Sequence, residues 1–158
     1  SRAVDKLMNR KTKVPNWYLD LSMIANYWSG KQRAYHHTAP INMIYALYQA
    51  LYDIIEANPT NVFQKHVDAH QYLRTKLKEL NLELLVQKKY RLPMLNAIKI
   101  PDGISDMDVR GKLLNDYNIE IGGGLGDLSG KVWRVGLMGH TANNVNIDRL
   151  SNALSEIL

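Results

Sequence analysis

The spacing of apolar positions changes near the middle of the chain. In the first half, Trp17, Leu19, Leu21, Ile24, Ala25 and Trp28 mark a short amphipathic helix. Ile41, Ile44, Tyr45, Tyr48, Tyr52 and Ile55 follow at steps of three and four, which predicts a long helix over about 40–57. Val62, His66, Ala69, Leu73 and Leu77 predict another over 61–79. Ahead of these, residues 1–13 read as a basic helix. It breaks at Val14-Pro15-Asn16, because a proline disfavours helical backbone in the residue before it. Residues 29–33 read as a loop, and Asn58-Pro59-Thr60 as a helix stop.

Past Asn81 the period falls to two. Leu82, Leu84 and Val86 alternate as a strand, and 94–100 reads as a second, closed by the turn Pro101-Asp102-Gly103. A helix is predicted over 107–117, a strand over 119–121, a strand over 132–137 and a closing helix over 144–158. Helices first and β-β-α-β-β-α afterwards predict an α+β fold with a small, mainly antiparallel sheet. The division is expected at 58/59, with a helical region 1–58 and a small α+β domain 59–158.

Composition narrows the function classes. With 158 residues, 46% of them hydrophobic and 22% charged, the chain builds a core and is not disordered. The absence of cysteine excludes disulfides, thiolate zinc sites and a cysteine nucleophile. No apolar run approaches the roughly 20 residues of a membrane span. The net charge of +5 is concentrated at one end, where Arg2, Lys6, Arg10, Lys11 and Lys13 face only Asp5. A nucleic-acid reader needs a basic stripe across a folded face, so no nucleic-acid partner is expected. There is no signal-peptide layout, so secretion is not expected. The chain opens on Ser1, inside helical sequence and without a methionine, which reads as a piece of a longer polypeptide.

Two places suit an anion. In Tyr35-His36-His37-Thr38-Ala39-Pro40, Thr38 stands where a helix cap is expected and Pro40 fits the first turn. The hydroxyls of Tyr35 and Thr38, with Arg33 just upstream, suit a phosphate at a helix start. A plain cap with aromatic packing fits the same residues. In Lys131–Leu137, alternation puts Trp133, Val135 and Leu137 on one face and Arg134 on the other. A guanidinium there needs an anionic partner or an exposed edge, and its fork matches a carboxylate.

Other motifs are read more plainly. The run from Gly122 to Gly126 leads into a strand rather than a helix, which points to tight turning and not to a nucleotide loop. His66 and His70 stand four apart around Asp68 without an obvious third ligand, so two helix-surface histidines are expected and no metal. His36-His37 likewise does not suggest a metal pair. The stripe of Tyr45, Tyr48 and Tyr52 reads as core or interface. No G-x-S-x-G elbow is present.

Taken together, Arg10-Lys11-Thr12-Lys13, Arg33-Ala34-Tyr35-His36-His37-Thr38 and the stretch GGLGDLSGKVWRVGLMGH at 123–140 resemble the C-terminal part of the alanine–glyoxylate (serine–pyruvate) aminotransferases, in the class V pyridoxal-phosphate family. Asp127 stands where that family usually has proline, and Ala34 replaces a bulkier apolar residue. The resemblance implies a fold-type I transaminase, homodimeric, that moves an amino group from alanine or serine to glyoxylate or pyruvate. Relatives in this subgroup also handle 3-hydroxykynurenine. It implies that 1–58 ends the large cofactor-binding domain. It implies that Tyr35 and Thr38 reach the phosphate of the pyridoxal 5′-phosphate bound by the partner subunit, and that Arg134 binds the substrate carboxylate. The Schiff-base lysine of the family would lie upstream, so no catalytic residue is assigned in this chain, which alone is expected to be inactive. Peroxisome or mitochondrion is the implied location, with the cytoplasm also open. The alternative is a non-catalytic α+β module that works in dimerisation or regulation.

Overall fold

The computed structural model describes residues 2–29, 32 and 34–158, without the side chains of Trp28 and Ser29. The expected contributions of Arg33 and of the Trp28 side chain therefore lie outside the described residues, as do Gly30 and Lys31. Contacts divide the chain into two compact units, Ser1–Tyr52 and Asp53–Leu158, where the sequence suggested 58/59.

In the first unit, α1 (Arg2–Met8) is shorter than the expected basic helix. Asn9 donates its side-chain amide to the Asp5 carbonyl at 2.8 Å, and Arg10 turns its Nε to the Thr12 carbonyl at 2.9 Å. Side chains that bond nearby backbone compete with helix continuation. The helix expected around Trp17–Trp28 splits at Asp20. A 3-10 turn at Trp17–Leu19 is capped by Asn16, and Asp20 then accepts from Ser22 N–H at 3.0 Å, capping α2 (Leu21–Ser29).

Helix α3 (Ile41–Glu56) has no buried residue. The tyrosine stripe expected to be core or interface is open in this chain: Tyr45 and Tyr48 are exposed, and Tyr48 stacks on Tyr52 with ring centroids 6.5 Å apart. Asn58 then starts α4 (Pro59–Glu79) by accepting from Thr60 N–H at 3.0 Å. The Asn-Pro-Thr stop is therefore also a start, with Pro59 in the first turn, where its missing N–H costs nothing.

The second unit is an α+β layer. Three strands, β1 (Leu95–Lys99), β2 (Gly122–Gly123) and β3 (Val132–Gly136), form an antiparallel sheet in the order β1-β3-β2. Helix α5 (Asp106–Tyr117) separates β1 from β2, and α6 (Asn144–Ile157) closes the chain. Ser105 caps α5, Asn143 caps α6, and Asn118 ends α5 in the left-handed conformation at φ 53°. The core joins Ile98 and Trp133, opposite each other in the register, with Leu73 and Leu77 of α4, Leu113 of α5 and Ile147 and Leu154 of α6. Ala69, Leu73 and Leu77 of α4 and Ile147, Leu150 and Leu154 of α6 are buried as the periodicity predicts, whereas Val145 is exposed.

Two expected strands are corrected. The 82–86 segment is reduced to a bridge from Leu84 to Ile98, flanked by hydrogen bonds Leu85 N–H to Ala97 O and Lys99 N–H to Glu83 O. It then leaves the sheet for a 3-10 turn at Lys88–Tyr90, where Arg91 Nε holds the Val86 carbonyl at 2.7 Å. The strand expected at 119–121 starts later, at Gly122, because the α5 cap occupies Asn118 and Ile119 N–H returns to the Leu113 carbonyl. Among the described residues, no helix is long and apolar enough to cross a membrane.

Candidate cofactor and substrate site

Tyr35 and Thr38 are brought together. The Tyr35 hydroxyl lies 2.5 Å from Thr38 Oγ1, and both side chains are exposed. The expected cap at Thr38 is not formed. Helix α3 begins at Ile41, and its first turn closes by Ile44 N–H donating to the Pro40 carbonyl at 3.0 Å. Thr38 Oγ1 is engaged by Tyr35 instead. Ile41 N–H turns to the Ala39 carbonyl at 2.8 Å, which leaves the amides of Asn42 and Met43 without an acceptor in the helix. Ile24 and Tyr27 of α2 face residues 35–41 across a pocket of about 400 Å³. Two hydroxyls, an open pocket and a helix start form a donor set that fits a phosphate.

Between the hydroxyls, His36 and His37 turn inward. His36 is buried, and its ring centroid lies 4.0 Å from that of Trp17. Its Nε2 is 2.9 Å from the Trp17 carbonyl, which only accepts, so Nε2 carries the proton. His37 packs on Tyr18 with centroids 4.3 Å apart. The Nδ1 atoms of both rings are buried without a hydrogen-bond partner among the described residues. The Ser22 hydroxyl beside Asp20 holds that carboxyl below its ordinary range, and the nearby His36 adds to the effect.

Arg134 sits in the second unit, in the middle of β3, where Ala97 of β1 and Gly122 of β2 are its register partners. It is half-buried, on the opposite face from Trp133 and Val135, as the alternation predicts. Its Nε donates to the Gly123 carbonyl at 2.7 Å. Neither Nη group has a hydrogen-bond or ion-pair partner among the described residues. The guanidinium is therefore held at one edge and open at the other, an arrangement suited to a carboxylate.

The glycine run explains how the guanidinium fits. A Cβ on Gly122 would stand 3.2 Å from Arg134 Nη2 and 3.3 Å from Nε. A Cβ on Gly123 would meet Asp106 Oδ2 at 3.2 Å and Arg110 Nε at 3.3 Å. A Cβ on Gly124 would stand 1.8 Å from the Leu128 carbonyl oxygen. Close approach to backbone requires glycine at Gly124, whereas at Gly122 and Gly123 an added Cβ would press on side chains that must give by a few tenths of an ångström. Arg110 is not a second open cation: it binds Asp106 through Nε at 2.8 Å and Nη2 at 3.1 Å. Sequence reasoning missed the part played by Gly122 and Gly123. The signal was present as glycines beside a strand that carries an arginine on the face away from the core.

The expected surface histidines are corrected. His70 is buried, with Nδ1 2.6 Å from Asn96 Oδ1. Asn96 spends its Nδ2 on the Pro93 and Val135 carbonyls, so its oxygen faces His70 and Nδ1 carries the proton. Burial lowers the His70 pKa. His66 is half-buried, lies 2.6 Å from the Val62 carbonyl through Nδ1, and accepts Gly139 N–H at Nε2 over 3.2 Å. Both histidines tie α4 to the layer beneath it.

No protein-family model matches the chain. Individual relatives do. The chain is 39% identical to the alanine–glyoxylate aminotransferase of Felis catus and 40% identical to that of Callithrix jacchus, each over 99% of this chain. A solved alanine–glyoxylate aminotransferase from Nostoc sp. shares 50% identity with a TM-score of 0.88, again over 99% of this chain. The chain is similar to the C-terminal part of the class V aminotransferases. The ureidoglycine–glyoxylate aminotransferase of Bacillus subtilis superposes with a TM-score of 0.90 at 30% identity. The chain spans about two fifths of the length of these relatives: 39% of the Felis catus enzyme and 41% of the Nostoc chain. The resemblance seen in the YHHT and GKVWRVGLMG segments thus extends along nearly the whole sequence, and the α+β fold agrees with that of the relatives.

Proposed function

We propose that this chain is the C-terminal part of a pyridoxal-phosphate-dependent transaminase that moves an amino group from alanine or serine to glyoxylate or pyruvate. The open fork of Arg134 carries the reading. A half-buried cation, fixed by one backbone carbonyl and otherwise unpartnered, is built to receive an anion. Its paired Nη donors match the two oxygens of an amino-acid or 2-oxo-acid carboxylate, which every substrate of such an enzyme has.

Tyr35 and Thr38 would hold the cofactor phosphate, aided by the start of α3. When bound, pyridoxal phosphate supplies an electron sink for breaking the Cα–H bond of the amino acid. Arg134 would hold that acid by its carboxylate. The nucleophilic lysine is assigned outside these 158 residues. The described lysines support this. None lines the Tyr35–Thr38 pocket. The 158 residues alone are accordingly proposed to be inactive.

The same reading makes the whole protein a homodimer, with the exposed apolar surface of α3 available for burial, and gives it a peroxisomal or mitochondrial setting. The exposed tyrosines also suit the second reading, a dimerisation or regulatory module without catalysis. Incubating the full-length protein with pyridoxal phosphate, alanine and glyoxylate separates the two. Formation of pyruvate and glycine is expected. No transfer from any amino acid, alongside intact cofactor-free dimers, would support the non-catalytic module.

A further inference from the structure

We infer that His36 is a positioning residue for the phosphate grip, acting through the placement of Tyr35 and Thr38. The inference rests on the reading of those two hydroxyls given above and adds a residue to it.

Residues 34–38 belong to no helix or strand, and no backbone–backbone hydrogen bond among the described residues holds them. Something else must fix the two hydroxyls. Tyr35 and Thr38 point outward, while His36 between them is 93% buried, being only 7% exposed. Its anchor is 19 residues away. The Trp17 carbonyl accepts His36 Nε2–H at 2.9 Å and Asp20 N–H at 3.2 Å, and the Trp17 indole covers the imidazole at 4.0 Å. The anchor is itself fixed, because Asn16 Oδ1 accepts the amides of Tyr18 and Leu19 at 3.0 and 3.3 Å.

The chemistry asks for histidine. A flat ring is needed to pack against the indole, to which it is tilted by 51°, and an in-plane donor to reach the carbonyl. Phenylalanine supplies the ring alone and glutamine the donor alone. A histidine that merely filled space would be replaceable by phenylalanine without effect on the neighbouring hydroxyls. A positioning histidine would not, because its hydrogen bond adds to the ring contacts of Tyr18 with His37 and of Tyr27 with Tyr35 in setting how the segment is rotated about its own axis.

The test compares pyridoxal phosphate with pyridoxal, which lacks the phosphate, on the full-length protein. Dissociation constants for both are measured by equilibrium dialysis for the parent, His36→Phe, His36→Gln and His36→Ala, with melting temperatures alongside. The readout is the ratio of the two constants, which a general loosening would leave alone. The parent should prefer pyridoxal phosphate. His36→Phe and His36→Ala should cut that preference by about tenfold or more through misplacement of the hydroxyls, with pyridoxal binding unchanged. His36→Gln should restore part of it. His36→Phe keeps the packing and so stands in if His36→Ala does not fold. A preference kept in His36→Phe, or equal weakening toward both compounds, overturns the role of His36 and leaves that of Tyr35 and Thr38 standing. No preference in the parent overturns the phosphate reading and this inference with it.

Discussion

The Arg134 guanidinium lies against Gly122, where an added side chain would crowd it. A Cβ at 122 would stand 3.2 Å from Nη2 and 3.3 Å from Nε, while Nε is tied to the next carbonyl, that of Gly123, at 2.7 Å. A few tenths of an ångström of movement would relieve that contact, and with Nε tethered the movement falls mainly on the open fork. Gly122→Ala should therefore raise KM for both the amino and the 2-oxo acid by about 3–30-fold, within the range that small misplacements produce. Melting temperature should change little. Steady-state kinetics of the full-length protein, with a thermal melt, check this.

Gly124 makes the contrasting case. Its Cβ would overlap the Leu128 carbonyl at 1.8 Å, and that carbonyl also accepts Lys131 N–H at 3.0 Å. Backbone must move to admit a methyl group. Gly124→Ala should cost about 1–3 kcal/mol of stability, as overpacking does. Urea titration of the 158-residue chain measures it. An unchanged midpoint would mean that the 124–131 turn is looser than described.

How much of this was legible beforehand depended on the range of the forces involved. The helices over 41–56 and 59–79 follow from local periodicity, and so does the alternation that separates Arg134 from Trp133. The register that sets Ile98 opposite Trp133 is a pairing across 35 residues, which no local pattern encodes. The 82–86 segment alternates correctly yet forms only the Leu84–Ile98 bridge, since Arg91 draws the Val86 carbonyl away. The sequence points to Tyr35 and Thr38 as a donor pair, but their link to each other and the start of α3 at Ile41 replace the expected cap. His70 looked like a surface residue because its partner, Asn96, comes 26 positions later.

His70 also sets a pH dependence. Burial is the first cause of its lowered pKa, with the Asn96 bond opposing and Arg74 and Arg91 adding to it. The folded state therefore binds the proton less readily than the unfolded chain, whose ordinary value is 6.5. Stability is fully present above that value and is lost as pH falls from it through the lowered folded value. The denaturation midpoint of the 158-residue chain should drop between pH 7.5 and pH 5. In His70→Gln this component should disappear. Glu83, lowered by its bond to Lys99, titrates in a more acidic range and does not confound the comparison.

The apolar surface of α3 predicts solution behaviour. Ile44, Leu47, Leu51 and Ile55 are all at least half exposed, more than isolated soluble helices usually leave open. The 158-residue chain by itself should bind the dye ANS and self-associate. Ile44→Lys with Leu51→Lys should reduce both. Light scattering that shows a dye-free monomer in the parent would contradict the described exposure.

The account depends most on Arg134 as the carboxylate grip, and its direct test is the KM of the full-length protein for alanine and for glyoxylate with Arg134→Ala. Charged hydrogen bonds of this kind contribute about 1.5–3 kcal/mol, so KM should rise about 10–100-fold for both acids. Arg134→Lys should fall between, since a lysine keeps the charge and loses the fork. Unchanged KM for both acids in Arg134→Ala would contradict the account.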